Sequence, residues 1–266
     1  SVPSAQPIAM NRSAFPRDDS SEPKTKNSGV LLAMESFDYP EGPLGTGAGG
    51  LGWSTPWSGS NLGKGSGVPI GAGTIQAGAP GFPKPAGRAL IQSGTREIKR
   101  SLLKPVDPSR EQQIFISFFL KKTGHKDDAP GSSLVSLRSS NQIANFIGAG
   151  VNSDNKLVIA HEGKNSVSDV QILEGRSYFL VIRCDFHRDL PDEVSFSAFD
   201  AESGGLSGEP VLWAVRSSKM GSTSSFDLLS IRSTRWGEFE CDEIRIGTSW
   251  NSVIGFGESK GNINEK

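Results

Sequence analysis

Four carboxylates crowd the stretch EFECDEIRIGTSW (238–250): Glu238, Glu240, Asp242 and Glu243. Two carboxylates on one strand face can cleave a glycosidic bond by acid/base chemistry, and the retaining version needs them about 5–5.5 Å apart. Residues two apart on a strand are separated by roughly 6.6–6.8 Å along the backbone, so such a pair is conceivable. The pattern that would carry it is Glu-x-Asp-x-Glu, with or without one extra residue before the last Glu. Here Glu240-Cys241-Asp242-Glu243 runs on into Ile244 and Arg245, and the closing Glu is missing. The expectation is a solvated strand end with structural hydrogen bonds from Asp242, and no catalytic centre.

Other residue types suggest other chemistry. Asp185, Asp189 and Asp192 gather around His187 in the loop DFHRDLPDE, where hard oxygen ligands suit Ca²⁺; the competing reading is a polar hairpin loop, with no metal or other cofactor. His125, His161 and His187 lie in no metal-ligand spacing. Cys184 and Cys241 fall at inward positions of strands, where they form either a disulfide or two buried thiols, and sequence cannot place their Cα atoms. Flat aromatic faces suit sugar rings and protein hot spots alike. Trp53 and Trp57 in glycine-rich loops, and Trp236 before the last strand, are therefore the ligand-binding candidates; each also has a reading as a pin that fastens its loop. Trp213 and Trp250 read as packing residues. The run GTGAGGLG (45–52) lacks a strand–helix context and reads as a loop, and no nucleophile elbow or phosphate loop occurs.

The 266 residues carry a formal net charge of -1, so no global field draws the chain to nucleic acid or an anionic membrane. No apolar run approaches the roughly 18 residues that a membrane span requires. Two cysteines are too few to staple a chain of this size, so its core must carry stability. A start at Ser1 fits an excised or mature product.

The elements that position these residues are strands. Phe239 and Cys241 alternate with acids, and then Ile244 and Ile246 take up the opposite parity. A strand changes phase in this way only through an extra residue, so a bulge is expected at Asp242-Glu243. Further strands are read at 30–37, 71–77, 88–94, 97–103, 113–122, 133–139, 144–150, 156–162, 168–173, 178–186, 193–199, 210–217 and 226–233. Hairpin signals lie at Asn152–Asn155 and Glu174–Arg176. The segment 42–87 is too rich in glycine for regular strands. Residues 1–28 are rich in Ser, Pro and charge and read as an arm or linker, with Ile8, Met10 and Phe15 its apolar anchors. Residues 29–257 form one sandwich, and 258–266 a polar tail. No long 3.6-period segment appears, so the fold class is all-β: an antiparallel two-sheet jelly roll with an extended N-terminal arm.

The stretches ESFDYPEGPLGTGAGGLGWSTPW (35–57), GRALIQSG (87–94), QIFISFFLKK (113–122), SYFLVIRCDF (177–186) and CDEIRIGTSW (241–250) occur in the order seen in a known family. The chain resembles the concanavalin A-like, laminin-G-like jelly-roll domains of exported bacterial proteins, a type often appended to FecR-type regulators. The resemblance implies a non-enzymatic module that is secreted, periplasmic or at the cell surface, binding glycan or protein there. Where such domains carry a Leu-Trp-x-Asn-Pro-like strand end, this chain has SFSAFDAESGG (195–205), so no ligand residue carries over there. A second expectation is a structural subunit of an extracellular assembly that self-associates through residues 1–28.

Overall fold

A computed structural model describes residues 29–45, 47–59, 68–125, 131–142, 144–220, 224–234 and 237–255. The expected arm (1–28) with Ile8, Met10 and Phe15, its self-association, the tail 258–266 and Trp236 lie outside the described residues.

Two antiparallel sheets face each other. The first holds nine strands: β1 (Leu31–Glu35), β2 (Gly42–Pro43), β4 (Pro69–Ala72), β5 (Arg88–Ser93), β7 (Gln112–His125), β12 (Ser177–Phe186), β13 (Pro191–Asp200), β14 (Val215–Met220) and β16 (Gly237–Gly247). The second holds seven: β3 (Ser58–Gly59), β6 (Arg96–Val106), β8 (Ser132–Arg138), β9 (Phe146–Val151), β10 (Lys156–His161), β11 (Lys164–Gln171) and β15 (Phe226–Thr234). The spatial orders are β14-β13-β12-β7-β16-β5-β4-β2, with β1 also on β16, and β11-β10-β9-β8-β15-β6-β3. This is the expected jelly-roll sandwich.

Alternation decides which side chains meet between the layers. Ile114, Ile116, Phe118 and Leu120 of β7 and Leu180, Ile182 and Cys184 of β12 point inward against Val135, Leu137, Ile147, Leu157, Leu229 and Ile231 of the other sheet. Three polar links cross the same interior. Ser133 Oγ donates to Gln92 Oε1 at 2.8 Å, Lys122 Nζ donates to Asn155 Oδ1 at 2.5 Å, and Arg100 of β6 pairs with Glu35 of β1. The last pair is the most enclosed, with side chains 2% and 1% exposed.

The phase change in β16 is a bulge. After a first shift between Glu238 and Phe239, pairing with β7 runs from Phe239↔Lys122 to Asp242↔Phe119 and resumes at Arg245↔Ser117, and Glu243 adopts φ 49°. On its other edge β16 pairs with β5 through residues 238–241 and with β1 from Ile244 onward. The bulge keeps Phe239, Cys241, Ile244 and Ile246 all in the core.

Three expectations change. The β piece read at 71–77 ends at Ala72, as β4, and residues 73–77 leave the sheet edge to bond with the outer side of β16. Residues 172–176 form no hairpin: they carry the chain from β11 in one sheet to β12 in the other. The strand read at 210–217 begins only at Val215, because Trp213 turns onto the outer face of the nine-stranded sheet. There Phe115, Phe119, Phe179 and Val181 make a second core with Phe82, Ala201, Leu206 and the short helix α1 (Trp250–Ile254).

Removing one partner of a buried ion pair leaves the other charge unpaired. Arg100→Met is expected to lower the unfolding free energy by about 3–5 kcal/mol, and adding Glu35→Gln to recover much of that loss; urea denaturation of the two single variants and the double variant measures it. A second outcome concerns His161, fully buried on β10 with no hydrogen-bond partner on either ring nitrogen among the described residues. Burial, aided by the Lys219 and Lys164 ammonium groups, pushes its pKa down to about 4. Below about pH 6.5 the unfolded imidazole takes up a proton that the folded one refuses, so stability falls between about pH 6.5 and 4, by roughly 3 kcal/mol. His161→Leu should flatten that fall in urea midpoints measured across the same range.

Candidate functional site

Of the four carboxylates of β16, Glu238 is half-buried and the other three are not solvated. Glu240, Asp242 and Glu243 are 5%, 1% and 3% exposed, which corrects the expected wet strand end. The cause is residues 73–87, which run across this face. Thr74 donates from its backbone N (2.7 Å) and its Oγ1 (2.8 Å) to the two oxygens of Glu240. Ala86 N donates to Asp242 Oδ2 at 3.2 Å, and Glu243 N donates to Asp242 Oδ1 at 2.7 Å. Glu243 in turn pairs with Arg245 at 3.2 Å. Burial, reinforced by the charges of Glu243 and Glu35, pushes Asp242 up to about 8, so it carries a proton at neutral pH. Beside this cluster an open cleft of about 460 Å³ is lined by Met34, Phe82, Lys84, Glu243 and Arg245.

Trp53 and Trp57 fasten their loop. Trp57, 2% exposed, donates from Nε1 to Glu35 Oε2 at 3.0 Å and stacks on Phe37 with ring centroids 5.7 Å apart. Trp53 donates from Nε1 to Met34 O at 2.9 Å. The Arg100 guanidinium lies 5.1 Å from the Trp53 ring and 5.6 Å from the Trp57 ring. With its ring buried, Trp57 offers no face to a ligand, while Trp53 is half-buried, fixed by its bond to Met34 and packed on Arg100. Tyr39 completes the cluster: its hydroxyl donates to Glu35, and burial together with that carboxylate raises its pKa to about 12.

The Asp185, Asp189 and Asp192 candidate is not assembled. Asp185 pairs with Arg183 at 2.8 Å, and Asp192 accepts from His187 N at 3.0 Å. No group of three metal-ligating side chains is arranged around a cation position among the described residues. The loop is the polar β12–β13 hairpin. Cys184 and Cys241 are free, buried thiols, whose ionisation burial strongly disfavours. A bridge is impossible, because Cys184 pairs opposite Ile114 and Cys241 opposite Leu120 on the same strand β7. Those two positions are roughly 20 Å apart along a strand, far beyond the Cα reach of about 7 Å.

What sequence reading missed is the outer face of the seven-stranded sheet, where no core cluster lies. Its residues follow from register. Ser101, Leu228, Arg138 and Phe146 share one row; Lys99, Ser230, Ser136, Gly148, Ala160 and Asn165 the next; Glu97, Arg232, Leu134, Gly150, Val158 and Val167 the third. The row centres are small, and Ser136, Ser230 and Ala160 are 6%, 0% and 5% exposed with no element of the described residues packed over them. At one side opens a cleft of about 430 Å³ lined by Arg96, Glu97, Lys99, Arg138, Leu228 and Arg232.

Glu97 organises this cleft. It accepts from Arg138 Nη1 at 2.5 Å and Ser230 Oγ at 2.9 Å on Oε1, and Lys99 Nζ lies 3.2 Å from Oε2. Burial alone would raise its pKa, but hydrogen bonds from Ser230 and Lys99 and the charge of Arg138 outweigh it and hold the carboxyl below its ordinary value. Arg138 also lies 5.4 Å from the Phe146 ring. No spacing motif marks these residues; only period-two parity on β6, β8 and β15, combined with their register, brings them together.

No family model matches the sequence, and no curated protein matches it in a sequence search. Among solved structures, the globular domain of T. cruzi calreticulin is similar over 85% of this chain and 91% of that one, with 13% identity and a TM-score of 0.48. Lectin II from Ulex europaeus is similar over 73% of this chain and 93% of that one, with 9% identity and a TM-score of 0.44. A carbohydrate esterase from Shiga toxin-encoding bacteriophage phi24B is similar over 84% of this chain and 100% of that one, with 10% identity and a TM-score of 0.43.

The raised Asp242 gives a pH signature. An unfolded aspartate ionises near pH 4, whereas the folded one keeps its proton to about pH 8. The stability this provides is fully present below about pH 4 and is lost as pH rises through about 8. Asp242→Asn, which cannot ionise, is expected to lose less stability than the parent between about pH 4 and 8, read from thermal midpoints.

Proposed function

We propose that this chain is a non-catalytic saccharide-binding module that takes its ligand on the outer face of the seven-stranded sheet. The observation that carries the reading is the preset cluster on that face: Glu97, Arg138, Ser230 and Phe146, fixed by hydrogen bonds and a ring contact beside an open cleft. Groups already held in place lose little freedom when a ligand arrives, and donors and acceptors set around a shallow cleft match the hydroxyls of a sugar. The nine-stranded face is a poorer platform, because the segment 73–87, Trp213 and α1 pack on it.

The same covering supports a non-enzymatic role. Glu240 and Asp242, the carboxylates placed as an acid/base pair would be, are spent on Thr74, Ala86 and Glu243. The resemblance to exported jelly-roll domains supports a place outside the cytoplasm, and among the described residues no helix is long and apolar enough to cross a membrane.

Affinity electrophoresis against a panel of polysaccharides tests the reading. Retardation by at least one is expected, lost on Phe146→Ala and on Arg138→Ala while circular dichroism stays that of the parent, with no reducing ends released. No retardation by any polysaccharide, or retardation indifferent to both substitutions, would overturn it.

A further inference from the structure

Resting on that saccharide reading, we infer that the ligand is an anionic glycan, whose carboxylate or sulfate groups bind across strands β6, β15 and β8. Four cations line the cleft, Arg96, Lys99, Arg138 and Arg232, against the single carboxylate of Glu97, a local balance of +3 on a chain whose net charge is -1. Arg138 and Lys99 are committed to Glu97. Arg96 and Arg232 have no ion pair among the described residues, and Arg232 is exposed. Asp227, whose two oxygens accept from Ser140 N at 2.7 Å and Ser140 Oγ at 2.5 Å, keeps its negative charge behind the cleft wall and still leaves the surroundings net positive, four cations against two carboxylates.

Three features narrow the ligand class. A guanidinium presents a fork that carboxylate and sulfate oxygens fill with two parallel hydrogen bonds, which a neutral hydroxyl cannot. The cations are spread over three adjacent strands, roughly 10 Å, so repeated charges along a polymer match them better than one isolated anion. Nucleic acid meets no stacking platform here. Phe146 is the only aromatic in the three rows, and its ring serves to hold the Arg138 guanidinium in place.

The test compares one oligosaccharide in two charge states. Isothermal titration of the full chain with oligogalacturonate, its fully methyl-esterified form and a heparin-derived oligosaccharide is expected to show at least one acidic ligand binding ~10-fold or more tighter than the ester, the worth of one additional ion-pair-class contact. Tighter binding of the heparin fragment assigns sulfate, and of oligogalacturonate, carboxylate. Arg232→Gln and Arg96→Gln should each weaken the acidic ligand several-fold, leave the ester unchanged, and reduce the loss of affinity with added salt. Equal binding of acid and ester would overturn the anionic assignment and leave the saccharide reading standing. Binding of a single-stranded oligonucleotide as tight as that of the acidic sugar would also overturn it. Binding of no saccharide at all would overturn both.

Discussion

A carboxylate in the middle of a protein interior is tolerable only when its lone pairs are filled, and Glu35 shows how much structure that demand recruits. Phe37 N donates to its Oε1 at 2.9 Å, while Tyr39, Trp57 and Arg100 all donate to Oε2. Arg100 belongs to the opposite sheet, so filling Glu35 also joins the two layers. Trp53 and Trp57 then shield the guanidinium, and Thr55 O accepts from Arg100 Nε at 2.9 Å. The glycines of this segment follow from the same demand. Gly50 and Gly52, at φ 80° and 81°, lie so close to β1 that a Cβ would strike Met34 O at 2.3 Å and Leu32 O at 1.9 Å.

The bulge at Asp242-Glu243 is the second constraint. It lets one strand serve two neighbours in turn, β5 and then β1, and so places Glu35 opposite Ile244. By holding Ile244 and Ile246 inward it also points Arg245 outward, where it meets the displaced Glu243. A left-handed glutamate is strained, and the buried Glu243–Arg245 pair is what the surroundings offer in return.

These constraints make the two outer faces unlike. On the nine-stranded sheet, Phe115, Phe119 and Phe179 face outward and must be covered, so the segment 73–87, Trp213 and α1 close over them. On the seven-stranded sheet the outward positions are Ser, Gly, Lys, Arg and Glu, together with Phe146 and small or branched aliphatics, which have no comparable need of cover. Among the described residues that face remains open, with its charges already arranged, and recognition has room there.

Much of the architecture is written in local patterns. Alternation in 193–199 and short continuous apolar runs in 113–122 and 178–186 mark strands without any knowledge of partners. The slip between Cys241 and Ile244 marks the bulge, since side chains on a strand must alternate faces. Burial and pairing are different, because they depend on what lies opposite. Glu240 and Asp242 look like wet acids until Thr74 and Ala86, more than 150 positions earlier in the chain, are seen to cap them. Trp57 looks like a ligand platform until its indole nitrogen is found on Glu35. Arg96, Lys99, Arg138 and Arg232 look like scattered surface charges, because only the β8-β15-β6 order sets them side by side. Residue type and parity determine that the chain forms strands and where one of them bulges; which groups share a site is a long-range fact, decided only when the strands choose their neighbours.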